Sequence, residues 1–327
     1  MKNEGEIMHK KSVLVGLLLA LFVVVLAGCG QTATNKGSNK LQVVTTFYPI
    51  YEFTKAVAGS DADVTMLMPA GTEPHDYEPS AKDIGKISQA NVFIYSSNNM
   101  ETWVGSLKSS IDEGQTKILN ASHSIKMIDE NDELKSEEAE LADKEETTSF
   151  ESTDNYDPHI WLDPENAKEM VTNISKELIQ QDPKHKQDYV KRTNAYLKKL
   201  TTLNTEYETT LKNAKNKTFV TQHAAFAYLA KQYGLTQVAI AGISSDGEPS
   251  PNRLAELQTY IKKYHVDTIF TEANDSSKIA NMLARETNIK VKGLNPIEGL
   301  SKAQIEGGET YLSVMQDNLK SLKTVVK

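Results

Sequence analysis

Cysteine is almost absent: the 327 residues contain one, Cys29. A sole thiol excludes a disulfide framework. A basic excess is missing too. The net charge is −8, and the segment from Asp129 to Asp157 alone holds 13 Asp or Glu against 2 Lys, a local charge of −11 that leaves the rest near +3. No strongly basic face follows from this balance, so nucleic acid is not an expected partner. A membrane-spanning run is also lacking. The apolar run Val13–Leu26 is 14 residues long, short of the roughly 20 that cross a bilayer. Behind Lys10 and Lys11 it fits a secretory h-region.

That run ends Leu26-Ala27-Gly28-Cys29, which looks like a bacterial lipoprotein signal. Residues 1–28 are read as a signal peptide. Residues 29–40, rich in Gly, Ser, Thr and Asn, are read as a flexible tether lipidated at Cys29. The mature protein is then expected on the extracytoplasmic face of the cell membrane, held by its lipid.

The remaining chain is long for a single core. The stretch Leu41–Ile50 has a strand pattern that Pro49 should end, and Val64–Met68, Ala90–Tyr95 and Lys117–Asn120 read as further strands. Helices are expected at Ile50–Gly59, Ala81–Gln89 (capped by Ser80, with Asp83 closing a capping box) and Met100–Ile111. A second βαβα series runs from Thr218 to Leu322. Alternation of this kind predicts parallel sheets with crossover helices. Between the two series, Asp163-Pro164 opens one helix, and Pro183 to Ala214 has no Gly and no further Pro. A helix of that length would span about 48 Å, more than one small domain needs. The expected fold is therefore α/β: two Rossmann-like lobes with mostly parallel sheets, residues 41–182 and 215–327, joined by a long rigid helix at 183–214. The acidic stretch 129–157 is read as an exposed loop, either a solvated insert or an arm that gathers cations by its field.

The chain is organised around Asp157-Pro158-His159-Ile160-Trp161-Leu162-Asp163-Pro164. Two prolines stiffen this stretch, and a carboxylate on either side suits an imidazole that must be held from behind. Three other positions point to the same place. His75 lies in the triple-proline loop Pro69–Pro79, His223 ends a predicted strand, and Glu298 follows another. Ligands of open α/β sheets bind beyond the carboxyl ends of strands, so a site between lobes would take two groups from each. Three imidazoles and a carboxylate suit tetrahedral Zn²⁺, and Mn²⁺, Co²⁺ or Ni²⁺ less well. Glu272, also after a strand, is the rival fourth ligand, and a water is a further alternative. Of the other histidines, only His123, beside the acidic run, is a candidate for an accessory metal contact.

The segments Pro74-His-Asp-Tyr-Glu-Pro-Ser80, Asp157–Pro164, Thr221-Gln-His-Ala-Ala-Phe-Ala-Tyr-Leu229 and Gly242-Ile-Ser…Glu248-Pro-Ser-Pro251, in that order, resemble the zinc and manganese receptors of bacterial ABC importers, most closely the adhesin-related zinc lipoproteins. The resemblance covers residues 41–327. It implies metal held in an inter-lobe cleft by His75, His159 and His223, with Glu298 as the acidic ligand. It further implies Zn²⁺ as cargo (Mn²⁺ being the alternative), an ABC permease with its ATPase as partners, and a monomer that is not an enzyme. One departure is clear: many zinc members carry a His-rich loop before the Asp-Pro-His motif, and here that loop is acidic. Two rival classes share these residues. A zinc hydrolase would need an open coordination position, and no companion nucleophile or oxyanion motif is found. A surface adhesin would use the metal only structurally.

Overall fold

The computed structural model describes residues 40–112, 114–129, 156–243, 249–272 and 278–326. The proposed signal peptide, the lipidation site Cys29 and nearly all of the acidic loop lie outside the described residues. Residues 41–327 belong to one compact unit.

The first series contains β1 (Leu41–Thr45), α1 (Tyr48–Ala58), β2 (Ala62–Met66), α2 (Ala81–Gln89), β3 (Val92–Tyr95), α3 (Val104–Lys108) and β4 (Lys117–Asn120). After a 3₁₀ turn at Ile160–Leu162 come α4 (Pro164–Gln181), a second 3₁₀ turn at Pro183–His185, and the long α5 (Lys186–Leu211). The second series contains β5 (Thr218–Thr221), α6 (Ala227–Tyr233), β6 (Thr236–Ala239), α7 (Pro251–Lys263), β7 (Thr268–Thr271), α8 (Lys278–Thr287) and β8 (Lys290–Gly293). Two further helices, α9 (Lys302–Glu306) and α10 (Tyr311–Lys323), close the chain.

The two four-stranded sheets have the same plan. Their orders are β2-β1-β3-β4 and β6-β5-β7-β8, and every pairing is parallel. Each sheet reverses strand order once, between β1 and β3 and between β5 and β7. Such reversals open a crevice at the carboxyl ends of the strands.

Several boundaries differ from expectation for local reasons. β1 stops at Thr45, and Pro49 sits in the first turn of α1, where its missing N–H costs nothing. The expected helix from Met100 to Ile111 shrinks to α3. Upstream of it, the buried Glu101 carboxylate turns back to accept the Ser96 and Ser97 amides (2.9 and 3.0 Å) and the Thr46 hydroxyl (2.5 Å). That carboxylate ties the residue after β1 to those after β3, and burial pushes its pKa up to about 7. The long helix begins at Lys186, because Asp182 and Pro183 open a 3₁₀ turn in which His185 Nδ1 lies 2.6 Å from Asp182. The capping box of Ser301 and Gln304 starts α9, an element the hydrophobic periodicity did not reveal.

The α5 helix is 26 residues long, about 39 Å at the standard rise. It packs on α1 and α4, which precede it, and on α6 and α10, which follow it. Its Tyr196, Leu200, Leu203, Tyr207 and Leu211 are buried. They join Phe53, Trp161, Leu229, Tyr311 and Met315 in one continuous apolar cluster. Smaller clusters cover the far face of each sheet. The joining helix is thus also a shared wall of the core. Polar ties reinforce it: Tyr207 donates to the Met315 carbonyl at 2.7 Å, and Glu52 on α1 accepts the Tyr311 amide at 2.6 Å.

Candidate metal centre

The loop after β2 is shaped by its prolines and by Glu73, whose carboxylate accepts the His75 amide at 3.2 Å. It presents the His75 ring with 11% exposure, the most open of the group. Pro158 delivers His159 to the cap position just before the 3₁₀ turn. Asp157 Oδ1 there accepts the His159 amide at 2.8 Å and lies 2.7 Å from its Nδ1. A carboxylate on Nδ1 fixes the tautomer that leaves Nε2 as the electron-pair donor. His223 follows β5, its carbonyl held by the Thr221 hydroxyl at 2.8 Å. Its Nδ1 lies 2.8 Å from Glu272 Oε1, so Glu272 stands behind the ring rather than beside its Nε2. Asp163, the carboxylate on the other side of His159, accepts the Glu165 amide and caps α4.

The three Nε2 atoms converge on Glu298 Oε1. The His159 Nε2 to Glu298 Oε1 distance is 2.9 Å, His223 to Glu298 is 3.1 Å, His75 to Glu298 is 3.5 Å, and His75 to His159 is 3.2 Å. One donor atom from each of the four residues lies within 4.8 Å of the other three, and this is the sole such group found among the described residues. A tetrahedron with zinc–nitrogen bonds of about 2.0–2.1 Å has edges of about 3.3 Å, so these separations suit a small four-coordinate ion. Glu298 Oε2 is buried with no hydrogen-bond partner, an arrangement that a cation would relieve. His123 lies elsewhere, its Nδ1 3.1 Å from the Asn120 carbonyl.

The charges are tightly linked. Burial alone would lower the His223 pKa, but the Glu298 and Glu272 carboxylates outweigh it and raise it to about 10. His159 is likewise raised, with Asp157 and Glu298 overcoming its burial. Burial alone would raise Glu298, yet the His223 charge and the three imidazole hydrogen bonds hold it well below the usual carboxylate range. Glu73, at the rim, is raised by burial and by the Glu298 charge.

The backbone carrying Glu298 is unusual. Ile297 has φ 59°, a left-handed conformation that costs a β-branched residue about 1–3 kcal/mol. Gly299 passes so close to the His75 loop that a Cβ would stand 3.2 Å from the Thr72 carbonyl. Trp161 Nε1 donates to the Pro296 carbonyl at 2.8 Å, and the Tyr311 hydroxyl donates to the Trp161 carbonyl at 2.6 Å. Trp161 lay inside the organising motif, but its bond to Pro296 did not follow from that motif, and Tyr311 was invisible to motif reasoning. The only available signal was that an indole sat two residues from a candidate ligand.

Fold and site together define a class: two-sheet α/β proteins with a compact cluster of cation-type donors between the sheets. Comparison with known proteins is specific. The family described as zinc-uptake complex component A, periplasmic (ZnuA), matches residues 43–325. The zinc-binding lipoprotein AdcA of Streptococcus pneumoniae (strain ATCC BAA-255 / R6) is 45% identical over 316 residues, 97% of this chain and 61% of that protein. The present chain therefore spans about three-fifths of AdcA. The high-affinity zinc uptake system protein ZnuA of Bacillus subtilis (strain 168) is 44% identical over 321 residues, covering 97% of this chain and 98% of that one. The crystal structure of the Zn(II)-bound ZnuA-like domain of S. pneumoniae AdcA superposes with a TM-score of 0.75 at 44% identity, over 88% of this chain and 99% of that chain. The chain belongs to the ZnuA family.

Proposed function

We propose that the protein is the extracytoplasmic receptor of an ABC-type zinc importer, capturing Zn²⁺ in the cluster of His75, His159, His223 and Glu298 and handing it to a permease driven by its ATPase. The convergence of three Nε2 atoms on one carboxylate oxygen carries this reading, and the family membership supports it. Each group has a defined part. His159, His223 and Glu298 are the deeply buried donors, and His75 closes the site from the rim. Asp157 and Glu272 orient the His159 and His223 rings through Nδ1. All four groups offer a donor to the same place, where a catalytic zinc would keep one position open for water, which favours a binding protein over a hydrolase.

In this reading residues 1–28 direct export, Cys29 carries the lipid, 29–40 is the tether, 41–182 and 215–327 are the lobes, and 183–214 joins them. The receptor acts as a monomer at the cell membrane. Adhesion is a second activity to test, since a 39% identical relative, the laminin-binding protein Lmb of Streptococcus agalactiae, is described as having both adhesin and metal-transporting activity.

Elemental analysis of protein purified without added metal, followed by calorimetric titration of the stripped form, tests the proposal. One zinc per chain, lost on His159→Ala, is expected. Manganese in place of zinc, or unchanged affinity in His159→Ala, would overturn it.

A further inference from the structure

The strained residue next to Glu298 is held from three directions. Asn318 on α10 grips the chain with both ends of its amide: its Oδ1 accepts the Asn295 N–H at 2.8 Å and its Nδ2 donates to the Asn295 carbonyl at 2.7 Å. Asn295 Oδ1 in turn accepts the Ile297 N–H at 2.7 Å. Trp161 Nε1 takes the intervening Pro296 carbonyl. Asn318 is buried, with 3% exposure, and its side chain does nothing else recorded in the structure. A left-handed Ile persists only where its surroundings over-determine it. Four hydrogen bonds over three consecutive residues do so here, immediately before the one carboxylate of the cluster.

Relying on the zinc-receptor reading above, we infer that Asn318 and Asn295 form a backbone clamp that sets metal selectivity by fixing where Glu298 Oε1 can stand. The clamp holds Ile297 in its left-handed conformation, and that conformation turns the carboxylate toward the three Nε2 atoms. A fixed carboxylate favours an ion content with four short bonds. A loosened one lets the oxygens spread and admit extra water, which suits an ion that prefers six oxygen-rich contacts. Neither asparagine touches the metal position, so both are positioning residues.

The test compares Zn²⁺ and Mn²⁺ affinities, each measured alone by competition with a chelator, in the full exported chain and in Asn318→Asp, Asn295→Ala and Asn295→Asp. Asn318→Asp keeps the acceptor for the Asn295 amide and loses the donor to its carbonyl. Asn295→Ala frees the Ile297 amide and removes a side chain that is only half-buried, so it is the second variant should Asn318→Asp fail to fold. Asn295→Asp keeps the acceptor and is the rescue. Zinc affinity should fall about 10- to 100-fold in the first two, the range seen for outer-shell partners of metal ligands. Manganese affinity should fall less, so that the zinc-to-manganese ratio drops, and Asn295→Asp should restore it. A lowered melting temperature with an unchanged ratio would overturn the clamp and leave the zinc reading standing. Failure of the unsubstituted chain to bind zinc would overturn both.

Discussion

Asp157 Oδ1 touches His159 twice, accepting the backbone amide at 2.8 Å and lying 2.7 Å from ring Nδ1. Both residues are fully buried. One oxygen therefore fixes the position of the chain and the rotation of the ring together. Asp157→Ala should weaken zinc binding by about 10- to 100-fold while leaving the four donor residues in place. Titration of the stripped variant checks this, and unchanged affinity would show that the packing of Trp161 alone orients the ring.

Glu298 and Glu272 lie on opposite nitrogens of His223, at Nε2 and Nδ1 respectively. Glu298→Ala should therefore remove a donor and abolish tight binding, whereas Glu272→Ala should cost a smaller factor by loosening the ring. The reverse order of effects would make Glu272 the acidic ligand.

The pH dependence should be displaced from the ordinary imidazole range. In the metal-free protein the Glu298 and Glu272 carboxylates push the His223 pKa up to about 10, and its proton must leave before Nε2 can take a metal. Zinc affinity should accordingly rise with pH from 6 to 9, about tenfold per unit for one displaced proton. Calorimetry in buffers of different ionisation enthalpy reads the proton release directly. The stability of the metal-free form should move the other way. The raised pKa stabilises fully below about 6.5, the unfolded value, and this contribution is lost as pH climbs through about 10.

Zinc should stabilise the fold by mass action. At a free concentration of 100 times Kd the gain is about 2.7 kcal/mol, visible as a raised melting temperature that chelator reverses. The gain should vanish in His159→Ala.

The acidic insert leaves and rejoins the core at one point. Asp129 pairs with Tyr156 in an antiparallel bridge, the Asp157 amide donates to the Ile128 carbonyl at 2.9 Å, and the Tyr228 hydroxyl ties both strands. Replacing residues 132–153 with a short Gly-Ser link should leave the melting temperature and zinc affinity nearly unchanged, because loop-closure cost depends only weakly on length. A slower zinc association rate at low salt would identify the insert as a cation-gathering arm. An equal rate would make it an inert insert.

Local chemistry sufficed for much of this molecule. The Ser80–Asp83 capping box, the Asp163-Pro164 helix start and the alternation of β-branched runs with amphipathic helices were readable because each depends on residues within a turn or two of one another. The prolines around His75 and His159 marked stiff loops for the same reason. What brought His75, His159, His223 and Glu298 within bonding distance of one another was the tertiary structure, through two parallel sheets that aim their carboxyl ends at one seam and a continuous core along α5 that holds them there. The left-handed turn at Ile297 and the grip of Asn318 on Asn295 were equally out of reach of the sequence, since neither a β-branched residue nor a helical asparagine announces a partner 23 positions away. Periodicity encodes which face of an element is buried, and only packing decides which faces meet.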